Sequence, residues 1–121
     1  MSQIALIVED EPSLRIIYET VLANMGFEVI QASDGEDALN ILQQTAPTII
    51  FLDMLLPKVD GPQVLDYIQS TPHLEHIPVV VLTAHHRFQQ RIHLSIGDVF
   101  LLKPVRPRDI HNAVQQVLAT L

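Results

Sequence analysis

Thr48-Ile49-Ile50-Phe51-Leu52-Asp53 decides how this chain is read: a short apolar run, mostly β-branched or aromatic, that delivers a carboxylate at its end. A run of this length without polar alternation reads as a strand buried on both faces, the form a parallel sheet requires. Three other runs share it. Ile4–Val8 leads into Glu9, Asp10 and Glu11, Val79–Leu82 into Thr83, and Val99–Leu102 into Lys103. In an open parallel sheet the carboxyl ends of the strands lie along one edge, and sites are built there. Carboxylates, a hydroxyl and an ammonium that are distant in sequence would then meet in one pocket.

The segments between these runs have helical signals. Pro12 follows Asp10 and Glu11 and suits a first helical turn. Leu14, Ile17, Val21, Leu22 and Met25 form a stripe of period 3.6, and Gly26 ends that helix. Phe27–Ala32 is a weaker strand, suited to an edge. Ser33-Asp34-Gly35 is a turn and cap, and Ala38, Leu39 and Leu42 mark a second helix that stops before Pro47. After Asp53 comes a long loop with Pro57 and Asp60-Gly61, read as a turn. Pro62 opens a helix carrying Val64, Leu65 and Ile68. A further helix over 87–95 has a poor apolar period and closes at Gly97. The last helix runs from about Pro107 to Thr120, with Ile110, Val114, Val117 and Leu118 facing inward.

The pattern is (βα) five times. It predicts one α/β domain over residues 1–121, a flavodoxin-like, doubly wound three-layer sandwich. Its parallel sheet has the order 2-1-3-4-5, which sets strand one beside strand three and so brings Glu9 and Asp10 next to Asp53.

Composition limits the function classes. With 48% apolar and 17% charged residues, the 121-residue chain buries a full core and is not disordered. It has no cysteine, which excludes disulfides, thiolate metal sites and cysteine nucleophiles. No stretch approaches a membrane span, and Met-Ser-Gln-Ile lacks the form of a signal peptide, so a cytoplasmic protein is expected. The net charge of −7 is unevenly spread: residues 1–85 hold twelve acids against Arg15 and Lys58, whereas 86–121 hold five bases against Asp98 and Asp109. An excess of acid on this scale argues against direct nucleic-acid binding. The basic end reads as a solvated helix surface, or as one that meets an acidic partner or another copy.

Carboxylates gathered at one sheet edge repel one another unless a cation lies among them. Any one of these acids could simply cap the next helix, but capping does not explain the whole set. Hard oxygen donors without His or Cys point to Mg²⁺, which keeps several waters and needs few protein ligands. An ionised Asp53 beside a metal can attack phosphorus and form an acyl phosphate. Lys103 and the Thr83 hydroxyl would then supply a charge and a donor for the phosphoryl oxygens.

Together the segments Leu6-Ile7-Val8-Glu9-Asp10-Glu11, Leu52-Asp53-Met54-Leu55-Leu56-Pro57-Lys58-Val59-Asp60-Gly61, Val81-Leu82-Thr83-Ala84 and Phe100-Leu101-Leu102-Lys103-Pro104 resemble a CheY-like response-regulator receiver domain of two-component signalling, over essentially the full length. The resemblance implies a self-phosphorylating and self-dephosphorylating switch that converts no metabolite. Asp53 would accept a phosphoryl group from a phosphohistidine of a sensor histidine kinase or phosphotransfer domain. Asp10, Asp53 and the Leu55 carbonyl would bind Mg²⁺, with Glu9, often Asp in the family, helping through water. Thr83 and Phe100 would form the switch, the aromatic ring turning inward as Thr83 moves toward the phosphoryl group. Leu55 and His85 occupy the positions that tune phosphate lifetime. Lys103–Pro104 would be a cis peptide.

Three competing functions are weaker. A Mg²⁺-dependent aspartyl phosphohydrolase of the haloacid-dehalogenase type needs a second Asp where this chain has Leu55. A flavodoxin-like cofactor module needs a Gly-rich phosphate loop where this chain has Glu9-Asp10-Glu11-Pro12. A receiver-like scaffold not regulated by phosphate would not keep Asp10, Asp53, Thr83 and Lys103 complete. The interval from Thr83 to Lys103 is about two residues shorter than the family resemblance implies, which leaves the output face, an unknown downstream protein and phosphorylation-dependent pairing of two copies open. With no effector domain read after the last helix, output through a protein contact is expected, unless the chain is a fragment of a larger regulator or hybrid kinase. Among the six histidines, His85-His86 and His93 are seven or eight residues apart, ~10 Å on a helix, too far for one ion. His73 and His76 sit in a loop without a third ligand and read as exposed polar residues. Arg15 and Tyr18 read either as core edge or as a kinase-docking surface.

Overall fold

Successive residues of a strand point to opposite faces of its sheet, so a strand apolar at every position needs a layer of helices on each side. The computed structural model of the protein, which describes residues 3–85, 94–95 and 97–119, has that form. In chain order the elements are β1 (Ile4–Val8), α1 (Pro12–Asn24), β2 (Glu28–Ala32), α2 (Gly35–Gln44), β3 (Ile49–Asp53), α3 (Gly61–Ser70), β4 (Val79–Thr83), β5 (Val99–Leu102) and α4 (Pro107–Ala119). All pairings are parallel and the sheet order is β2-β1-β3-β4-β5, as expected from the alternation of runs. The helix expected over 87–95 falls largely outside the described residues, as do His86 and His93.

The two cores follow the strand alternation. Leu6, Val8, Ile50, Leu52, Val79 and Val81 pack under Ala38 and Leu42 of α2 and Val64, Leu65 and Ile68 of α3. Ala5, Ile7, Ile49, Phe51, Val80 and Leu82 pack under Tyr18 and Leu22 of α1 and Ile110, Ala113, Val114 and Val117 of α4. Each fully buried aliphatic or aromatic side chain contributes about 1.5–3 kcal/mol relative to exposure. β1, β3 and β4 are buried over nearly all their length. The edge strand β2 is half-buried.

Two helix faces differ from the expected stripes. In α1, Ile17 is 39% exposed while Tyr18 is buried beside Leu22. Ile16, Ile17 and Tyr18 make α1 apolar on two sides, and the wide aromatic ring takes the inner position. In α4, Ala113 is buried and Leu118 is 38% exposed, because the small residue lets the helix lie close to the sheet. The remaining caps agree with their sequence signals. Asp34 accepts the Asp37 N–H at 2.7 Å to begin α2. Asp60 and Gln63 form a reciprocal capping box at the start of α3. Gly26 adopts a φ of 97°, a left-handed conformation that glycine takes without steric cost, at the end of α1.

Candidate functional site

β1 lies between β2 and β3, with Val8 opposite Leu52, so the residues that follow β1 emerge beside Asp53 at the end of β3. One carboxylate oxygen each from Glu9, Asp10 and Asp53 lies within 4.8 Å of the others. Glu9 and Asp53 are buried and Asp10 is exposed, which leaves one side of the cluster open to solvent. They line a cleft of about 480 Å³ together with Leu55, Ala84 and Lys103.

Lys103 enters from the end of the edge strand β5. Its backbone N–H donates to the Thr83 carbonyl at 2.8 Å, which continues the β4–β5 ladder by one residue. From there its ammonium donates to Glu9 Oε1 at 2.8 Å and to Asp53 Oδ2 at 2.9 Å. Burial pushes the Glu9 carboxyl up to about 7; the Lys103 hydrogen bond opposes this and the charge of Asp53 adds to it. Burial pulls on Lys103 in the opposite sense, but its hydrogen bonds to Glu9 and Asp53, with their charges, outweigh it and hold the group above its ordinary value. Lys103 therefore stays cationic between the two buried carboxylates.

The other expected residues surround this cluster. Thr83 is fully buried at the end of β4, and its Oγ1 accepts the His85 N–H at 3.1 Å, leaving the hydroxyl proton free to donate. The Leu55 N–H donates to Asp53 Oδ1 at 3.1 Å, and the Leu55 side chain is 45% exposed at the mouth of the cleft. Phe100 is half-buried and packs against the α2/α3 core. The Lys103–Pro104 peptide is cis. Asp60-Gly61, expected as a turn, is instead the cap and first residue of α3, and it closes the loop that carries Leu55. The Gly61 N–H donates to the Met54 carbonyl at 3.0 Å, and a Cβ there would collide with the Asp53 carbonyl oxygen.

Glu9 is more deeply engaged than a group acting only through water. Its carboxylate is paired to Lys103, a contact 94 residues apart that no local pattern signals. Arg15 makes contacts that its sequence position does not signal. It donates to the Glu9 carbonyl at 2.8 Å and to Gln31 Oε1 at 3.2 Å, and is part of the framework under the acidic turn. Tyr18 is core, and its buried hydroxyl has no hydrogen-bond partner among the described residues. Its spacing of four from both Leu14 and Leu22 was the available signal. His73 is exposed, with Nε2 3.1 Å from the Leu42 carbonyl oxygen, and His76 is also exposed.

The cluster offers three hard oxygen donors, one of them open to solvent, with no His or Cys among the residues lining the cleft. This donor set fits Mg²⁺ and does not fit a soft or imidazole-seeking metal.

Comparison with known proteins gives a consistent result. The family model described as "Response regulator receiver domain" matches residues 5–115. The "Probable transcriptional regulator ycf27" of Guillardia theta is 39% identical over 115 residues, 93% of this chain and 44% of that protein. The chain spans about half the length of the curated relatives it matches. Among solved structures, the bacteriophytochrome response regulator AtBRR superposes with a TM-score of 0.80 at 34% identity, covering 97% of this chain and 93% of that one. The receiver domain of the sensor histidine kinase PA1611 from Pseudomonas aeruginosa, described with a magnesium ion coordinated in its active-site cleft, shares the fold. Its TM-score is 0.86 at 22% identity, covering 98% of this chain and 99% of that one. Among the described residues no helix is long and apolar enough to cross a membrane.

Proposed function

Because this chain belongs to the response regulator receiver domain family, we propose that Asp53 is the residue through which it takes up a phosphoryl group, and that Mg²⁺ assists. The observation that carries this reading is the cluster itself: three carboxylates within 4.8 Å of one another at an open cleft, two of them bridged by Lys103. In the transfer, an Asp53 carboxylate oxygen attacks phosphorus. The P–N bond of a donor phosphohistidine breaks and the imidazole leaves with a proton. An aspartyl phosphate remains, and hydrolysis by water returns the carboxylate and inorganic phosphate.

Asp10, Asp53 and the Leu55 carbonyl would hold the ion, with Glu9 reaching it through water. When bound, Mg²⁺ supplies positive charge to the phosphoryl oxygens. Lys103 pairs with a phosphoryl oxygen from the other side, and the buried Thr83 hydroxyl donates to another. Thr83 then leaves the space above β4, and the half-buried Phe100 ring turns into it. Leu55 at the cleft mouth has no group to orient an attacking water, so the phosphate is long-lived, with His85 flanking the same approach.

The donor we assign is a sensor histidine kinase or phosphotransfer domain in the cytoplasm. The output, by the printed role of the ycf27 relative, is transcriptional, either within a longer chain or through pairing of two phosphorylated copies. The domain acts as a switch and turns over no metabolite. The test is incubation with acetyl phosphate and Mg²⁺, followed by intact-protein mass spectrometry. Wild type gains one phosphoryl group and Asp53→Asn gains none. Equal labelling of the two, or none in wild type, would reject the reading.

A further inference from the structure

The peptide that joins Glu9 to Asp10 is fixed from outside the acidic cluster. The Glu9 N–H donates to the Ala32 carbonyl at 3.1 Å, and its carboxylate is taken by Lys103 and by the Glu11 N–H at 3.2 Å. The Glu9 carbonyl oxygen remains. Arg15 Nη1 donates to it at 2.8 Å. The guanidinium is held in turn, because Arg15 Nε donates to Gln31 Oε1 at 3.2 Å on the edge strand β2.

The Gln31 amide has one possible orientation. Its nitrogen donates to a Glu19 carboxylate oxygen. An ionised carboxylate only accepts, so the amide nitrogen faces Glu19 and the amide oxygen faces Arg15. Gln31 itself is tied to β1 opposite Ile7. A relay thus runs from Glu19 on α1, across Gln31 on β2, to Arg15 and the carbonyl that precedes Asp10. Without it, the Glu9–Asp10 peptide would lose the hydrogen bond that fixes its carbonyl and could rotate, and Asp10 would turn with it.

We propose that Arg15, oriented by Gln31 and Glu19, is a positioning residue that aims Asp10 at Asp53 for the divalent cation. This rests on the Mg²⁺ reading above. It also makes a prediction opposite in sign to simple charge. Removing a cation beside an acidic cluster should tighten Mg²⁺ binding by Coulomb attraction alone. Removing a positioning residue should weaken it, by about tenfold for partners that orient metal ligands.

The experiment is isothermal titration of Mg²⁺ into wild type, Arg15→Met, Arg15→Lys and Gln31→Leu, with a thermal melt of each without Mg²⁺. Arg15→Met is expected to bind about tenfold more weakly. Arg15→Lys, which keeps the charge but loses the planar fork, should weaken binding severalfold. Gln31→Leu, on a half-buried edge strand, leaves every charge in place and should also weaken binding severalfold with a melting midpoint close to wild type. Arg15→Met binding as tightly as wild type, or more tightly, would overturn the relay while leaving the Mg²⁺ reading intact. A wild type that takes up no Mg²⁺ would overturn the metal reading and the relay with it.

Discussion

Replacing Lys103 by Met removes the cation shared by Glu9 and Asp53 while keeping most of the side-chain volume. Two carboxylate oxygens up to 4.8 Å apart, if both charged, repel by about 3.5 kcal/mol at an effective dielectric of about 20. Part of this is relieved, because burial already raises the Glu9 carboxyl to about 7 and it will take a proton in the variant. The open side of the cleft admits water and reduces it further. The expected net loss is about 2–3 kcal/mol, below the 3–5 kcal/mol typical of breaking a fully buried pair. For a domain of this size that lowers the melting midpoint by roughly 8–12 °C. Mg²⁺ at a hundred times its dissociation constant stabilises the variant by about 2.7 kcal/mol and should bring its midpoint back close to that of Mg²⁺-free wild type. The assay is a thermal melt of wild type and Lys103→Met at pH 7, each with and without Mg²⁺. A variant that melts within 2 °C of wild type without Mg²⁺ would refute the reasoning, as would a variant whose midpoint Mg²⁺ does not raise.

Tyr18→Phe removes a buried hydroxyl that has no partner among the described residues, so it should stabilise the fold by about 1 kcal/mol and raise the midpoint by about 4 °C; a lower midpoint would contradict this. The hydrogen bond from the Asp37 N–H holds the Asp34 carboxyl below its ordinary value, so its stabilisation is present above the unfolded value of 3.8 and is lost as pH falls through the folded one. Acid titration should therefore show Asp34→Ala less stable than wild type at neutral pH, with the gap closing below that value. Leu55→Asn places a polar group at the cleft mouth and should shorten the lifetime of phosphorylated Asp53, followed as loss of label after the donor is removed; a wild type that loses phosphate faster would contradict the role given to Leu55.

The central strands were legible because burial on both faces leaves few polar positions in them; Ile49–Asp53 and Val79–Thr83 are buried throughout, and their runs marked the site edge directly, whereas the edge strands β2 and β5 are only partly buried. Helix faces were less legible. Period alone does not separate Ile17 from Tyr18 when adjacent positions are all apolar, and the shape of the groove between α1 and the sheet decides. The acidic and basic groups were identified one by one from the strand ends, but their pairing was not. The Lys103–Glu9 contact depends on three-dimensional register across four strands, and the Arg15–Gln31–Glu19 relay joins a helix to an edge strand through side-chain amides that carry no periodic signal.

The central claim is that Asp53 receives the phosphoryl group. Its most direct test is to phosphorylate wild type with acetyl phosphate and Mg²⁺, trap the acyl phosphate by borohydride reduction, and map the modified residue by peptide mass spectrometry. The reduced product should be found at Asp53, with Glu9 and Asp10 unmodified. A product at either of those residues, or at none of the three, would contradict the account.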